Sequence, residues 1–278
     1  MPAQPRPTQT TIIRPAASPV AAAAFRLADV SFAVEGRTLL HPLTIDLPPG
    51  RIVALVGHNG SGKSTLLKLL ARQTRPTSGT VSFAGQDLGA WSEREFARAV
   101  AYLPQSTPPA PGMRVRELVD LGRYPWHGPF GRFGADDRAK VEEALALTGT
   151  GEFADRPVEA LSGGERQRVW LAMLMAQDAG CLLLDEPISA LDIAHQIDVL
   201  TLVRDVSRRK GVGVVIVLHD INMAARFCDE IVALKGGRLV ARGSVDEVVT
   251  STVLERIYGI AMSTMRHPQR NEPVAFAL

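Results

Sequence analysis

An α/β fold carried on a parallel sheet is predicted by three features of this sequence. Arg51-Ile-Val-Ala-Leu-Val56, Cys181-Leu-Leu-Leu184 and Val212–Leu218 are apolar almost throughout, as strands buried on both faces must be. The first of them runs into a glycine-rich turn, Gly57-His-Asn-Gly-Ser-Gly62, and then into a helical stretch from Lys63 to Arg72. The later two are each preceded by a helical segment, and parallel neighbours need such crossovers.

The remaining elements are placed around that frame. From Phe25 to about Asp46 the pattern is one of short strands with turn signals, Glu35-Gly36 among them. Ser92-Glu-Arg-Glu95 has the spacing of a capping box opening a short helix that runs to Val100. Between Ser106 and Ala160 the texture changes. Pro108, Pro109 and Pro111 lead into Val115–Leu121, a Gly/Pro/aromatic stretch fills Gly122–Gly134, and a helix is expected from Asp136 to Leu147. Residues 106–160 are therefore read as a helical insertion. Past residue 250 a short helix, Thr252 to Tyr258, and an irregular tail are expected. Residues 1–24, rich in Pro, Ala and Thr, are expected to be a disordered tail.

The bulk numbers narrow the class. A chain of 278 residues with 46% hydrophobic and 22% charged residues is ordinary for a globular protein. A net charge of +2 gives no general electrostatic case for nucleic acid. Two cysteines cannot build a disulfide framework, and Cys181, heading an apolar run, is expected to be a buried reduced thiol. No apolar run approaches the ~18 residues of a membrane helix. Any membrane role must come through a partner.

Gly57-His-Asn-Gly-Ser-Gly62-Lys63-Ser64 is a complete P-loop in its required context, after a strand and before a helix. Its glycines let backbone N–H groups turn inward around phosphates; Gly57, Asn59, Gly60, Ser61, Gly62, Lys63, Ser64 and Thr65 are the expected nucleotide contacts. Lys63 reaches the β/γ oxygens and Ser64 offers its hydroxyl to Mg²⁺. Asp185 and Glu186 emerge where the strand Cys181–Leu184 ends. Asp185 suits the Mg²⁺ shell, and Glu186 suits the orientation or deprotonation of water. These two motifs establish an NTPase.

The kind of NTPase is decided by Leu161-Ser-Gly-Gly-Glu-Arg-Gln167. This segment resembles the signature of ABC (ATP-binding cassette) ATPases at every position. The resemblance covers nearly the whole chain from about Phe25, with residues 25–250 as the ATPase domain and 251–278 as a C-terminal helix and tail. It implies a RecA-like P-loop core with an antiparallel β subdomain and a helical subdomain. It further implies that Ser162, Gly163, Gly164 and Gln167 bind the γ-phosphate of ATP held by an identical partner subunit. Tyr102-Leu-Pro-Gln105 resembles the Q-loop, making Gln105 a contact of Mg²⁺ and water. Ser189-Ala-Leu-Asp192 resembles the D-loop, placing Asp192 at the dimer interface. His219 resembles the switch histidine that meets the γ-phosphate. His58, His127 and His195 are read as loop or surface groups.

Two positions depart from the pattern. Val34 stands where the family stacks an aromatic on adenine, with Phe32 nearby expected to pack in the core, and Ile188 replaces a threonine. A site gripping triphosphate more than base is the expected result.

Gly122-Arg-Tyr-Pro-Trp-His-Gly128, Leu191-Asp-Ile-Ala-His-Gln196, His219-Asp-Ile-Asn-Met-Ala-Ala225 and Ile257-Tyr-Gly-Ile260 resemble ATPase subunits of iron-chelate and vitamin B12-type importers, iron(III)-hydroxamate importers above all. What this implies is a homodimer on the cytoplasmic face of the inner membrane. It would sit beneath an integral permease fed by a periplasmic or surface siderophore-binding protein, with no nucleic acid involved. The aromatics Tyr124, Trp126, Phe130 and Phe133 are read as local packing of a glycine-rich loop, as a permease-docking surface, or as both at once. The alternatives are another iron-chelate or cobalamin importer, or a soluble ABC protein acting on DNA or ribosomes. The single P-loop and the lack of a long heptad run weigh against the latter.

Overall fold

The apolar runs become neighbouring parallel strands in the computed structural model, which describes residues 25–128, 131–189 and 191–278. The expected tail at 1–24, and Phe130 of the aromatic cluster, lie outside the described residues. In chain order the elements are β1 (Phe25–Val34), β2 (Arg37–Leu47), β3 (Ile52–Val56), α1 (Lys63–Leu70), β4 (Ser78–Phe83), β5 (Gln86–Asp87), α2 (Glu93–Ala99) and β6 (Val100–Leu103). Then come α3 (Val115–Asp120), α4 (Tyr124–His127), α5 (Ala135–Leu147) and α6 (Gly163–Ala176). The chain continues with β7 (Cys181–Leu184), α7 (Ile193–Lys210), β8 (Gly213–Val217), α8 (Ile221–Phe227), β9 (Glu230–Lys235) and β10 (Arg238–Ser244). It closes with α9 (Val245–Val248), α10 (Ser251–Tyr258), β11 (Met262–Arg266) and β12 (Pro273–Ala277).

The central sheet has the strand order β10-β9-β3-β8-β7-β6. All its pairings are parallel except β9 with β10 at one edge. Each central strand feeds two cores. Ile52, Ala54 and Val56 of β3 pack on one face, Val53 and Leu55 on the other, and β8 divides in the same way. That explains the lack of polar alternation in these runs, since each buried aliphatic side chain contributes roughly 1.5–3 kcal/mol. One face carries α1 and a second, antiparallel sheet of order β2-β1-β4-β5. The other face carries α3, α5, α6 and α7. The predicted α/β class, with antiparallel and helical parts, is what the chain adopts.

Three local expectations are corrected. The strands before residue 47 are ten and eleven residues long rather than short. Glu35 and Gly36 form a two-residue turn with φ of 49° and 79°, a left-handed pair that matches strand twist and joins β1 to β2 directly, with bulges further along the ladder between Leu27 and Ala33. The tail after Tyr258 is a hairpin, with Met262 paired to Ala277 and Arg266 to Pro273. Only Pro273 and Ala275 of its second strand are buried, too short a pattern to show a period of two. The capping box at Ser92 and Glu95 forms as expected, but the helix stops at Ala99 and Val100 opens β6.

The Gly/Pro/aromatic stretch is a staple within the helical layer. A Cβ on Gly122 would lie 2.2 Å from the carbonyl oxygen of Met173, so only glycine permits α6 to press this close. Buried Arg123 donates from Nε to Asp137 Oδ1 at 2.9 Å and from Nη1 to the Ala176 carbonyl at 2.8 Å. Its guanidinium lies 4.9 Å from the centre of the Trp126 ring, whose Nε1 donates to the Gln177 carbonyl at 2.7 Å. Trp126 is therefore a packing residue, while Tyr124 stays 51% exposed. Burial pushes the Asp137 carboxyl up, but hydrogen bonds from the Gly134 N–H and from Arg123, with the Arg123 charge, hold it below its ordinary value.

Arg123→Met leaves Asp137 without its cation and should lower the unfolding free energy in urea by roughly 3 kcal/mol at neutral pH. The deficit should shrink in acid. A carboxyl lowered in the folded state stabilises above its unfolded value of about 3.9 and loses that contribution as pH falls through the folded one. A variant with an unchanged urea midpoint at pH 7 would show that the staple carries no stability.

Candidate functional site

The phosphate-binding loop begins where β3 meets its neighbour. Gly57 has φ 139°, and a Cβ there would sit 2.1 Å from the Leu234 carbonyl oxygen of β9. Gly62 caps α1 in the left-handed region, φ 101°, with no side-chain cap bond. The first-turn N–H groups of α1, at Lys63, Ser64 and Thr65, are thus left to face a cleft of about 420 Å³. Buried Lys63 donates from Nζ to the Gly57 and His58 carbonyls at 2.9 Å each. Burial pulls its ammonium below the ordinary lysine value, against the pull of Glu186 and Asp185. Asn59 and Gly60 also line the cleft, and Ser61 Oγ is buried with no hydrogen-bond partner.

Of the two carboxylates after β7, Glu186 lines this cleft and Asp185 is buried against Ser64, which lines it. Asp185 is 1% exposed; its Oδ1 accepts from Ser64 Oγ at 2.9 Å, and its backbone N–H donates to Leu103 of β6. Burial raises the Asp185 carboxyl above its ordinary value, the Ser64 bond opposes this, and the neighbouring Glu186 charge adds to it. A buried carboxylate beside a hydroxyl, with the Gln105 amide near, is a hard oxygen set that suits a small divalent cation.

Glu186 sits at φ 51°, a left-handed conformation costing a non-glycine residue about 1 kcal/mol, of the kind that collects at functional sites. Gln105 Nε2 donates to its Oε2 at 2.8 Å, and His219 Nε2 lies 2.7 Å from its Oε1. Gln105 and His219, from two other strand ends, therefore converge on the Glu186 carboxylate. A water bound there would be oriented by a base already held in place.

The other predicted residues lie elsewhere. Ser162 caps α6, its Oγ accepting from the Glu165 N–H at 3.3 Å, and Ser162, Gly163 and Gly164 are not part of the phosphate-loop cleft. Gln167 lines a separate groove beside Gln105, Ala110 and Trp170. Asp192 caps α7, its Oδ1 accepting from the His195 N–H at 2.9 Å and lying 2.8 Å from His195 Nδ1.

Sequence reading overlooked several contacts. Arg37 and Leu39 of β2 line the cleft. His58 is an exposed loop group as expected, and its Nε2 also lies 2.9 Å from the Tyr258 carbonyl. Asn222 exchanges two hydrogen bonds with the Ala275 backbone, at 3.0 and 2.7 Å, so β12 braces the helix that follows His219. Nothing in the sequence marks that brace, because its partner is the hairpin that replaces the expected irregular tail.

Comparison with known proteins agrees with this geometry. Residues 40–189 match the model of the ABC transporter family. The iron(3+)-hydroxamate import ATP-binding protein FhuC of Bacillus subtilis is 43% identical over 239 residues, 86% of this chain and 88% of that one. The hemin import ATP-binding protein HmuV of Gloeobacter violaceus is 42% identical over 260 residues, 91% of this chain and 94% of that one. A metal-chelate type ABC transporter solved in an inward-facing conformation superposes with a TM-score of 0.80 at 26% identity, covering 92% of this chain and 97% of that one. With its phosphate loop, acidic strand end and serine-glycine helix start all in place, the chain belongs to the ABC transporter family.

Proposed function

We propose that this chain hydrolyses ATP to power import of iron(III)-hydroxamate siderophores through a separate membrane permease. The observation that carries hydrolysis is Glu186, fastened at both carboxylate oxygens by Gln105 and His219 at the mouth of the phosphate-loop cleft. Siderophore import is supported by the likeness to an iron(3+)-hydroxamate import protein over most of both chains.

The residues then take these roles. Gly57, Asn59, Gly60, Ser61, Gly62, Lys63, Ser64 and Thr65 hold the triphosphate, Lys63 exchanging loop carbonyls for phosphate oxygens. Ser64, Asp185 and Gln105 hold Mg²⁺, which when bound offsets charge on the transferring phosphoryl group. Glu186 takes a proton as water attacks the γ-phosphorus, and the bond to the bridging oxygen breaks to release ADP and phosphate. His219 and Gln105 position the carboxylate and the γ-phosphate.

Ser162, Gly163, Gly164, Gln167 and Asp192 complete the site of a second copy, so the working unit is a homodimer with two composite sites. A second anion cradle, outside the cleft of a chain with one P-loop, supports that reading. The domain is residues 25–250 with 106–160 as its helical subdomain, followed by 251–278. Among the described residues no helix is long and apolar enough to cross a membrane. We place the dimer on the cytoplasmic face of the inner membrane, held by the permease and served by a siderophore-binding protein. Exposed Leu121 and Tyr124, rather than Trp126, are the apolar groups offered to the permease.

Glu186→Gln should bind ATP with near wild-type affinity while steady-state hydrolysis falls by a hundredfold or more, on the order of 3 kcal/mol in the barrier. Phosphate release near the wild-type rate would remove Glu186 from the chemistry.

A tandem dimer carrying Lys63→Ala in one half and Ser162→Arg in the other, arranged so that both defects fall on one composite site, should keep a site free of either. Photo-crosslinking from position 162 to a γ-phosphate probe should label nucleotide bound by the other half. Labelling confined to one half excludes action across the dimer.

Uptake of ⁵⁵Fe in a strain lacking this chain tests the cargo. Restoring the gene should recover transport of ferric hydroxamates. Recovery of hemin transport alone would move the assignment to the cargo named for the hemin relative.

A further inference from the structure

Among the described residues no Phe, Tyr or Trp lines the phosphate-loop cleft. Phe32, the aromatic of β1 near its rim, packs into the core. The flat side-chain groups that do line it are Asn59 of the phosphate loop itself, Glu186, Gln105, His219 and Arg37. Gln105 and His219 are both engaged with Glu186. Arg37 is exposed and enters no ion pair among the described residues.

Its position follows from the sheet. β3 has β9 and β10 on one side and β8, β7 and β6 on the other. β2 reaches the loop on the β9–β10 side: His41 N–H donates to the Gly237 carbonyl at 2.8 Å, and the Leu39 carbonyl oxygen lies 3.1 Å from where a Cβ on Gly62 would be. Glu186 comes in from β7 on the opposite side. A nucleotide whose terminal phosphate meets Glu186 must therefore run its nucleoside towards β2. Arg37 and Leu39 both line the cleft, Leu39 at a bulge where Thr38 faces Ala33 and Leu40 faces Phe32. Across the two-residue turn Arg37 pairs directly with Val34, which is 45% exposed, and such partners stand side by side on one face of a ribbon.

We propose that Arg37 is the specificity-determining residue for the nucleoside: its guanidinium stacks on the base above an apolar floor made by Val34 and Leu39. A planar, delocalised cation stacks on aromatic faces where a lysine ammonium cannot present a plane. The stack gives the base term that Val34 lacks. It reads the base's face rather than its edge, so it favours large purines and separates ATP from GTP weakly. The assignment rests on the ATP-binding reading above.

The test is titration of the purified protein with ATP, CTP and inorganic tripolyphosphate, using wild type, Arg37→Ala, Arg37→Lys and the double variant Arg37→Ala with Val34→Tyr. Arg37→Ala should weaken ATP by about three- to thirtyfold, the span of exposed to desolvated cation–π contacts, and leave tripolyphosphate within twofold. Arg37→Lys should lose most of the same factor, and the double variant should regain it. Equal losses for ATP and tripolyphosphate would make Arg37 a phosphate ligand and overturn the stack, as would no loss for either. A wild type that binds neither ligand would overturn the nucleotide reading itself, and this assignment with it.

Discussion

Parallel register in the central sheet is the constraint on which the site depends. Leu103 pairs with Leu184, Leu184 with Ile216, and Leu55 with Val217. The residues just beyond these pairs are Gln105, Asp185 and Glu186, His219, and Gly57. Because the four strands point the same way, every one of these groups emerges at one edge of the sheet, where open α/β sheets bind ligands. The apolar runs hold that alignment through burial on both faces, and a slip of one residue would exchange the two cores. Packing far below the cleft is thus what brings separate polar residues within hydrogen-bonding reach of Glu186.

The electrostatics of the cleft suit a ligand of two signs. Lys63 is lowered chiefly by burial and Asp185 is raised chiefly by burial, so each is held where its charged form is costly. A triphosphate relieves the ammonium and a divalent cation relieves the carboxylate. Phosphate alone would leave Asp185 facing more negative charge, and metal alone would repel Lys63. The pair of shifts therefore favours the joint ligand over either part.

The central strands, the phosphate loop and the acids after β7 were legible because each is a contiguous pattern with one physical meaning, whereas Gln105 and His219 came from the family resemblance. Apolar runs without alternation specify double burial, and glycines at 57 and 62 mark backbone that no other residue could follow. What escaped reading depends on contacts between distant segments. Arg37 lies 26 residues before Lys63 and shares its cleft only because β2 folds back on the loop. The hairpin of β11 and β12 has two buried residues in its last strand and is recognisable only through its bonds to Asn222. Trp126 has a packing role that the sequence offered only as one reading, visible in its bond to Gln177 fifty-one residues away.

The contact between Gly164 and His195 carries a consequence for how such chains diverge. A methyl group on residue 164 would stand 3.3 Å from the His195 ring, whose Nδ1 is already tied to Asp192. The starts of α6 and α7 are therefore fitted to each other before any second subunit arrives. Enlarging residue 164 requires the imidazole to give by a few tenths of an ångström, against its contact with Asp192. Substitutions at 164, 192 and 195 should be inherited as a set, and a chimera drawing these two segments from different ancestors would join surfaces that were never matched.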